Sequence, residues 1–243
     1  MKIFINLTAV FIFSMLLFGC KANHNTSLTK ASDKVVKGYQ LDKLLFQDDF
    51  NNNLSQWTIE TEPLPHTSVS IKNEKLRIDV AGGATIWLAD KLNGNVLITY
   101  DRTVLIEDGV NDRLSDLNQF WMANDSENSE FFTRNGIFKQ YHNLNLYYFG
   151  IGGNRNTTTR FRKYLGNGER FLITDRREPS YVLKPNHTYR ITTIVYNGTT
   201  KVFVDDKEYF SYTDNAPLTN GYFGFRTVSS RQDIDNFRVY SLK

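Results

Sequence analysis

Residues 221–240 read GYFGFRTVSSRQDIDNFRVY, and this stretch decides the fold. It contains two short segments, 221–227 and 234–241, in which apolar and polar residues alternate. An alternation of period two is typical of a strand with one face in the core and one face in water. The stretch therefore predicts two strands of an antiparallel sheet close to the end of the chain.

The same pattern extends back through the chain. Further strands are predicted at residues 44–49, 57–60, 68–72, 75–80, 84–88, 96–104, 118–122, 144–151, 157–164, 181–183, 189–195, 201–204 and 207–212. Turn sequences join several of them, namely KNEK at 72–75, YNGT at 196–199 and the Asp205-Asp206 pair. No segment of ten residues keeps the apolar spacing of a helix.

About fifteen short strands without a helix predict an all-β protein built from two packed antiparallel sheets. No sequence repeat of fixed period is present, which disfavours a propeller. The predicted fold class is an all-β, two-sheet antiparallel jelly-roll sandwich, with residues 41–243 as its one domain.

The two ends of this region carry a family resemblance. FQDDF at 46–50 and LSQW at 54–57 open it, and GYFGFR at 221–226 with DIDNFRVY at 233–240 closes it. Together with the hairpin KVFVDDKEYF at 201–210, they resemble concanavalin/laminin-G-like jelly rolls. The resemblance implies that the first and last strands lie side by side. It implies no reaction, because this scaffold hosts lectins, binding modules, hydrolases and lyases.

Two middle segments are more specific. NDRLSDLNQFWMA at 111–123 and GGNRNTTTRFR at 152–162 resemble a family of bacterial lipoproteins associated with polysaccharide utilisation. This resemblance implies a polysaccharide or oligosaccharide as partner.

The N-terminus indicates export. Lys2 precedes an apolar run over residues 3–18, and the chain's only cysteine, Cys20, follows Gly19. We interpret residues 1–19 as a signal peptide and Cys20 as the lipidation site, followed by a flexible tether over residues 20–40. The alternative is an ordinary secretory peptide with an accidental cysteine. The lipoprotein interpretation places the protein in the cell envelope, facing the periplasm or on the outer membrane, and anchored to the membrane through its lipid.

Bulk properties exclude some partners and leave others. A net charge of +3 is too small to indicate nucleic acid, and the single cysteine excludes an internal disulfide. The aromatic content of 14% suits both pleated sheets and stacking platforms for sugars.

Strand alternation selects the candidate site. In the strand near residue 160, Arg160, Arg162 and Tyr164 share one face, and Phe161 lies on the other. The catalytic candidates are His142, Tyr148, Arg160, Arg162 and Tyr164; the substrate-binding candidates are Asn118, Gln119, Trp121, Arg134, Gln140, Asn154 and Arg226. The alternative is that these side chains form a solvent-facing ladder and a structural network.

These residue types suit a polysaccharide lyase. Arginine and amide groups neutralise a uronate carboxylate, and a tyrosine or histidine removes the neighbouring proton in a β-elimination. A glycoside hydrolase is the weaker expectation, because the paired-carboxylate strand typical of jelly-roll glucanases is missing. The residues are also compatible with cleavage of 3-keto-glycosides, with a non-catalytic carbohydrate-binding lipoprotein and with an adhesion or scaffold protein.

No cofactor is predicted to be required. His24, His66, His142 and His187 lack the spacing of zinc ligands, so no catalytic zinc is expected. The family resemblance implies a structural calcium ion beside the terminal strands, with Asp48, Asp49 and Asp235 as donors. The alternative is that these carboxylates cap turns.

Overall fold

The structure is a computed structural model that describes residues 33–243. Its strands are β1 (Leu41–Asp48), β2 (Trp57–Thr61), β3 (Ser68–Ile71), β4 (Leu76–Leu88), β5 (Leu92–Asn93), β6 (Val96–Val104), β7 (Leu117–Asn124), β8 (Asn145–Gly152), β9 (Thr158–Leu165), β10 (Arg170–Arg176), β11 (Thr188–Tyr196), β12 (Thr199–Val204), β13 (Lys207–Thr213) and β14 (Asn220–Leu242). All pairs of strands are antiparallel. The predicted all-β antiparallel sandwich is confirmed.

Between residues 33 and 243, helical structure is limited to single turns. The helices are α1 (Asp33–Val36) and α2 (Gly153–Asn156), and the 3₁₀ turns are Phe138–Tyr141 and Pro179–Tyr181. Within the described part of the chain, no helix is long and apolar enough to cross a membrane. The predicted signal peptide and the predicted lipidation site at Cys20 lie outside the described residues.

Two layers share the longest strands. We call one layer the groove sheet; its strand order is β10-β9-β8-β7, then residues 222–226 of β14, residues 84–88 of β4, and β2. The other layer, the back sheet, contains β13-β12-β11-β6 and residues 232–241 of β14, flanked by β1, β3 and residues 76–80 of β4. The first and last strands, β1 and β14, pair as the resemblance implied.

A bulge carries β14 from one layer into the other. The register with β4 shifts between Val228 and Ser230, and Ser229 has a φ of 43°, in the left-handed region. A bulge adds one residue to a strand and bends it sharply. Val228 and Ser229 are thereby placed at the edge of the groove sheet, where they later form part of the site.

The core lies between the two layers and is aromatic. Trp57 of β2 stacks on Phe225 at 5.3 Å and meets Phe237 edge-on at 5.1 Å between ring centres. Phe225 and Phe237 come from the two halves of β14, so one strand supplies both walls of the core. Such ring pairs add to the free energy gained by burying their area.

Several elements differ from the sequence predictions. Residues 181–183 were predicted as a strand, but Tyr181 ends the 3₁₀ turn Pro179–Tyr181 and the two residues after it form no strand. Strand β10 was not predicted. Val35 of α1 is 3% exposed and packs against Leu97 and Ile194, so residues assigned to the tether lie on the back sheet.

Candidate functional site

A groove of about 570 Å³ opens on the outer face of the groove sheet, over β8 and β9. Its walls come from the bulge within β14, at Val228 and Ser229, and from the loops that flank β7 and β9. The lining residues are Arg113, Asp116, Phe138, Tyr148, Gly150, Gly153, Asn154, Arg155, Thr158, Arg160, Arg162, Val228 and Ser229. Four of the candidates derived from the sequence therefore meet here: Tyr148, Asn154, Arg160 and Arg162.

Strand β9 forms one wall of the groove, because every second side chain of the strand points to the outer face of the sheet. Arg160 and Arg162 point into the groove, whereas Phe161 is fully buried in the core between the sheets. Thr158 lines the groove on the same face, and its buried hydroxyl has no hydrogen-bond partner in the protein. The face assignment made from the sequence matches the structure.

Tyr148 and Gly150 of β8 form the floor. The Tyr148 ring folds over Gly150, and its hydroxyl donates a 2.9 Å hydrogen bond to Oδ1 of Asn118 on β7. A Cβ atom at Gly150 would lie 2.1 Å from that hydroxyl, so only glycine leaves room for the ring. Burial, with the charges of Tyr164 and Asp116, raises the pKa of Tyr148, and this hydroxyl keeps its proton at neutral pH.

Positive charge dominates the lining. Four arginines face one carboxylate, Asp116, which lies 2.5 Å from a guanidinium nitrogen of Arg113. Arg160 has Asp175 of β10 at 3.3 Å. Arg162 has no carboxylate partner among the described residues, and its buried Nε makes no hydrogen bond. The groove therefore presents unneutralised guanidinium groups, which suit planar anions.

The turn before β9 is held in an unusual conformation. Asn154, Arg155 and Asn156 all have positive φ values, of 52°, 60° and 61°. The Asn156 side chain fixes this turn, because it both accepts from and donates to the backbone of Leu183. Non-glycine residues with left-handed φ cost energy and cluster at functional sites. Here the turn brings Asn154 and Arg155 to the rim of the groove.

The rest of the groove sheet is covered. We call residues 125–144, between β7 and β8, the covering loop. Its anchor is Glu60 of β2, which accepts from the Trp87 indole at 2.8 Å, the Tyr141 hydroxyl at 2.9 Å and the Arg134 backbone at 2.8 Å. Gly136 lies flat on the sheet, where a Cβ atom would come within 2.4 Å of the Gly83 carbonyl.

Arg226 is buried beneath this loop. It is 0% exposed and donates to the Gly136 carbonyl at 2.6 Å and to the Thr85 hydroxyl at 3.1 Å. Its guanidinium lies 5.4 Å from the centre of the Phe138 ring. Arg226 was assigned as a binding residue, but it does not line the groove. The Phe138 ring lies between the Arg226 guanidinium and the groove.

His142 and Tyr164, two catalytic candidates, also lie outside the groove lining. Tyr164 is fully buried, with the guanidinium groups of Arg162 and Arg170 close to its hydroxyl. The His142 ring meets Phe138 at 4.9 Å, and its Nε2 is 3.3 Å from Arg170. Burial and the neighbouring cations, Arg170 first, lower the pKa of His142. His142 belongs to the covering loop, and Tyr164 is buried beside it, 6.3 Å from the His142 ring between ring centres.

Gln119 and Trp121 point away from the site, which corrects their assignment to a sugar subsite. Gln119 accepts from Tyr100 at 2.7 Å and donates to Thr193 at 2.6 Å, so it links the two sheets. Trp121 is fully buried and stacks on Tyr147 at 5.6 Å. Neighbours in a strand face opposite sides, so Asn118 and Gln119 could not both face the groove.

Arg134 and Gln140 are structural as well, which corrects a second pair of binding candidates. The Arg134 side chain pairs with Asp125 and donates to the carbonyls of Phe131 and Gln140. The side-chain oxygen of Gln140 accepts from the backbone of Asn135 at 3.0 Å. All of these contacts lie within the covering loop, and they fix its shape.

The three aspartates of the calcium prediction have protein partners. Asp48 accepts from the Trp57 indole at 2.8 Å, and Asp49 accepts two 2.7 Å hydrogen bonds from Arg238. Asp235 accepts from the backbone of Asn236 at 2.6 Å. Among residues 33–243 no group of three His, Cys, Asp or Glu side chains is placed to bind a metal. The calcium ion stays a prediction.

Sequence reasoning missed parts of the groove. Phe138 and the bulge residues Val228 and Ser229 were not candidates, since nothing local marks a loop residue as a wall. Arg155 lies within the quoted GGNRN motif, and the motif was the signal that could have identified it.

Comparison of the structure with solved proteins defines its class. A Bacillus subtilis protein of unknown function with a galectin-like fold matches with a TM-score of 0.69 at 17% identity, covering 84% of this chain and 98% of that chain. The endo-β-1,3-glucanase of Pyrococcus furiosus matches at 0.61 and 13%, covering 85% and 97%. The carbohydrate-binding module CBM66 of Bacillus subtilis matches at 0.54 and 15%, covering 78% and 98%. At these identities the likeness shows a shared jelly-roll fold.

The family follows from the sequence match. The model of the family described as "Domain of unknown function (DUF6250)" matches residues 78–237, and the chain belongs to that family. No curated protein matches the chain.

Proposed function

We propose that the protein binds an acidic polysaccharide or its oligosaccharides in the groove over β8 and β9. The observation that carries this proposal is the excess of arginine over carboxylate in the lining, above all Arg162, which has no carboxylate partner among the described residues. Guanidinium groups bind carboxylates and sulfate esters through two parallel hydrogen bonds.

The remaining lining suits a sugar ring. Phe138 and Tyr148 supply planar surfaces, and Asn154 and Ser229 supply groups that bond hydroxyls. Two proteins with the same fold, CBM66 and the endo-β-1,3-glucanase, act on carbohydrates by their names. Fold likeness supports a sugar ligand here only together with the groove itself.

A β-elimination is the second candidate, favoured by the grouping of Arg160, Arg162 and Tyr148 on one face. The arginines would neutralise a uronate carboxylate, and Tyr148 would protonate the leaving oxygen. A base is harder to assign. Burial raises the pKa of Tyr148, and His142 lies outside the groove lining, so binding without turnover fits the site better.

A glycoside hydrolase fits less well. A retaining mechanism needs two carboxyl groups about 5–5.5 Å apart. Asp116 is the one carboxylate that lines the groove among residues 33–243, and it is paired with Arg113.

The test is a binding panel on the purified protein. Uronate polymers, sulfated glycans and neutral glucans are titrated by calorimetry, and each mixture is followed for the ultraviolet absorbance of an unsaturated uronate. We expect acidic glycans alone to bind, and Arg160→Gln with Arg162→Gln to weaken binding at least tenfold. Lys72→Gln, which removes a charge from an exposed hairpin, is the control. Equal binding of neutral glucans would refute the proposal, and a rise in absorbance would establish the lyase instead.

We also propose that Cys20 is acylated and holds the domain at the membrane. The proposal is supported by the charge, apolar run and cysteine at the N-terminus. Expression in a Gram-negative host with radiolabelled palmitate is expected to label the wild-type protein and to leave Cys20→Ala unlabelled. Labelling of both proteins would contradict it.

A further inference from the structure

The covering loop closes one end of the groove. It packs on β2, β4, β14 and β7: Tyr141 bonds to Glu60, Phe131 meets Trp87 at 4.9 Å, and Gly136 accepts from Arg226. No residue of β2 or β4 lines the groove in the described part of the chain. A trough across a whole sheet accommodates the middle of a long polymer, but a groove with a closed end accommodates a chain end.

Unpartnered polar atoms gather around this groove. Eight buried side-chain nitrogen or oxygen atoms in the described residues lack a hydrogen bond, and three of them are guanidinium nitrogens of Arg162 and Arg226. A fourth, Nε of Arg160, lies 3.3 Å from Asp175 in an ion pair. The Thr158 hydroxyl, which lines the groove on the same face of β9, is one more. Buried donors without acceptors are costly, and the side chains of Arg162 and Thr158 lie in the groove, where an anionic ligand can contact them.

A second buried arginine provides the comparison. Arg102 and Arg226 are both 0% exposed. All three guanidinium nitrogens of Arg102 donate to acceptors in the core, starting with Gln232 at 2.6 Å. In Arg226 only Nη1 donates, whereas Nε and Nη2 have no partner. The core therefore supplies an acceptor to every guanidinium nitrogen of Arg102, whereas Arg226, which has the charge of Glu62 nearby, keeps two nitrogens without a hydrogen bond.

Positive charge is concentrated behind Phe138. Arg226 lies 5.4 Å and Arg170 5.7 Å from the centre of the Phe138 ring, and Arg162 lines the groove on the open side. The His142 ring, which carries no negative charge, is perpendicular to the Phe138 ring at 4.9 Å between ring centres. An anionic group at the closed end of the groove would face these cations. Among the described residues, Asp116 is the one carboxylate that lines the groove, and it is already paired with Arg113.

We propose that the groove binds the terminal residue of an acidic glycan, with its anionic group directed at Arg162 and the buried charge of Arg226. This inference rests on the proposed function and adds the mode of recognition. Binding depends on chain ends, and interior residues of the polymer are not bound.

The test asks whether the binding capacity of the polymer follows its number of chain ends or its mass. The acidic polymer that binds best in the panel is partly digested with an unrelated enzyme, and equal masses of intact and digested polymer are titrated. End recognition predicts that binding capacity rises in proportion to the number of chain ends. Capacity proportional to mass would overturn the inference and leave the proposed function standing. If no acidic glycan binds at all, the proposed function fails first.

Two buried-arginine variants test the charge. We expect Arg226→Met to fold and to weaken binding several-fold, most strongly at low salt, because the lost charge acts on the ligand. Arg102→Met is the matched control and is expected to lower stability while leaving the affinity of the folded fraction unchanged. If Arg226→Met does not fold, the proposed contact is tested with Arg162→Gln, whose side chain lies on the groove wall. An unchanged affinity in Arg162→Gln would refute the proposed contact.

Discussion

Replacement of Glu60 by alanine is expected to release the covering loop from the groove sheet. Glu60 is 4% exposed, and its two carboxylate oxygens accept from three donors. Two of these donors, the Trp87 indole and the Tyr141 hydroxyl, belong to side chains with no exposed surface. The third is the backbone N–H of Arg134, inside the loop. The Glu60 carboxylate therefore joins β2 and β4 to two points of the covering loop, Arg134 and Tyr141.

The size of the effect follows from the donors that are left unpaired. A buried donor that loses its acceptor costs about 1–3 kcal/mol, and Glu60→Ala leaves two such donors in the interior. We therefore expect the free energy of unfolding to fall by about 2–6 kcal/mol. Glu60→Gln should fall between this variant and the wild type. Its amide keeps one acceptor oxygen, but either orientation turns the NH₂ group toward an N–H donor, at Trp87 or at Arg134.

The assay is urea unfolding followed by tryptophan fluorescence, with ligand binding measured on the same variants. Glu130→Gln is the control, because Glu130 is exposed in the same loop. Release of the covering loop in Glu60→Ala would open the closed end of the groove. If the protein recognises chain ends, the capacity of intact polymer for this variant should then be proportional to polymer mass. A loss of stability below about 0.5 kcal/mol would refute the assignment of Glu60 as the anchor.

Three further outcomes are expected. Gly150→Ala should push the Tyr148 ring off the floor and break its bond to Asn118, lowering stability by about 1–3 kcal/mol in urea unfolding and weakening glycan binding. Burial raises the pKa of Asp112, but Arg231 and two backbone N–H groups outweigh it and lower that pKa from 3.8 to about 2. Stability from Asp112 is thus present above pH 4 and lost as the pH falls toward 2, about 2 kcal/mol in all, and Asp112→Asn should flatten unfolding profiles over that range. Finally, calorimetric titrations from about 0.05 to 0.5 M salt should show falling affinity, and a salt-independent affinity would contradict recognition by arginine.

Alternation predicted the layers better than it predicted their connections. The segments at 221–227 and 234–241 were correctly assigned as strands, but they are halves of one continuous strand, β14. Nothing in the local pattern shows that a strand changes sheets, since a bulge such as that at Ser229 keeps the alternation on each side. Strand β10 was missed because its burial is only partial, so its polar and apolar residues carry little periodic signal.

The candidate site was predictable where it lies on a strand. Parity placed Arg160, Arg162 and Tyr164 on one face of their strand, and the structure brings the two arginines into one groove with Tyr148. Tyr164 does face the same side of the sheet but does not line the groove, and Arg226, a binding candidate chosen without parity, is buried beside the covering loop. What parity could not supply was the covering loop, whose position depends on contacts with residues far away in the sequence, such as Glu60.

The loop decides what the sheet can recognise. Without residues 125–144 the outer face of the groove sheet would run from Arg160 through Asn118 and Arg226 to Glu60, because backbone pairing places these residues in one row across the strands. Such a row is a trough with positive charge at two points and a carboxylate at the far end. The loop is anchored on Glu60 and covers Arg226. The carboxylate at the negative end of the row therefore accepts hydrogen bonds from the protein and is not available to a ligand. Because the carboxylate is used inside the protein, the charge that remains for a ligand is positive, and it remains at one end only.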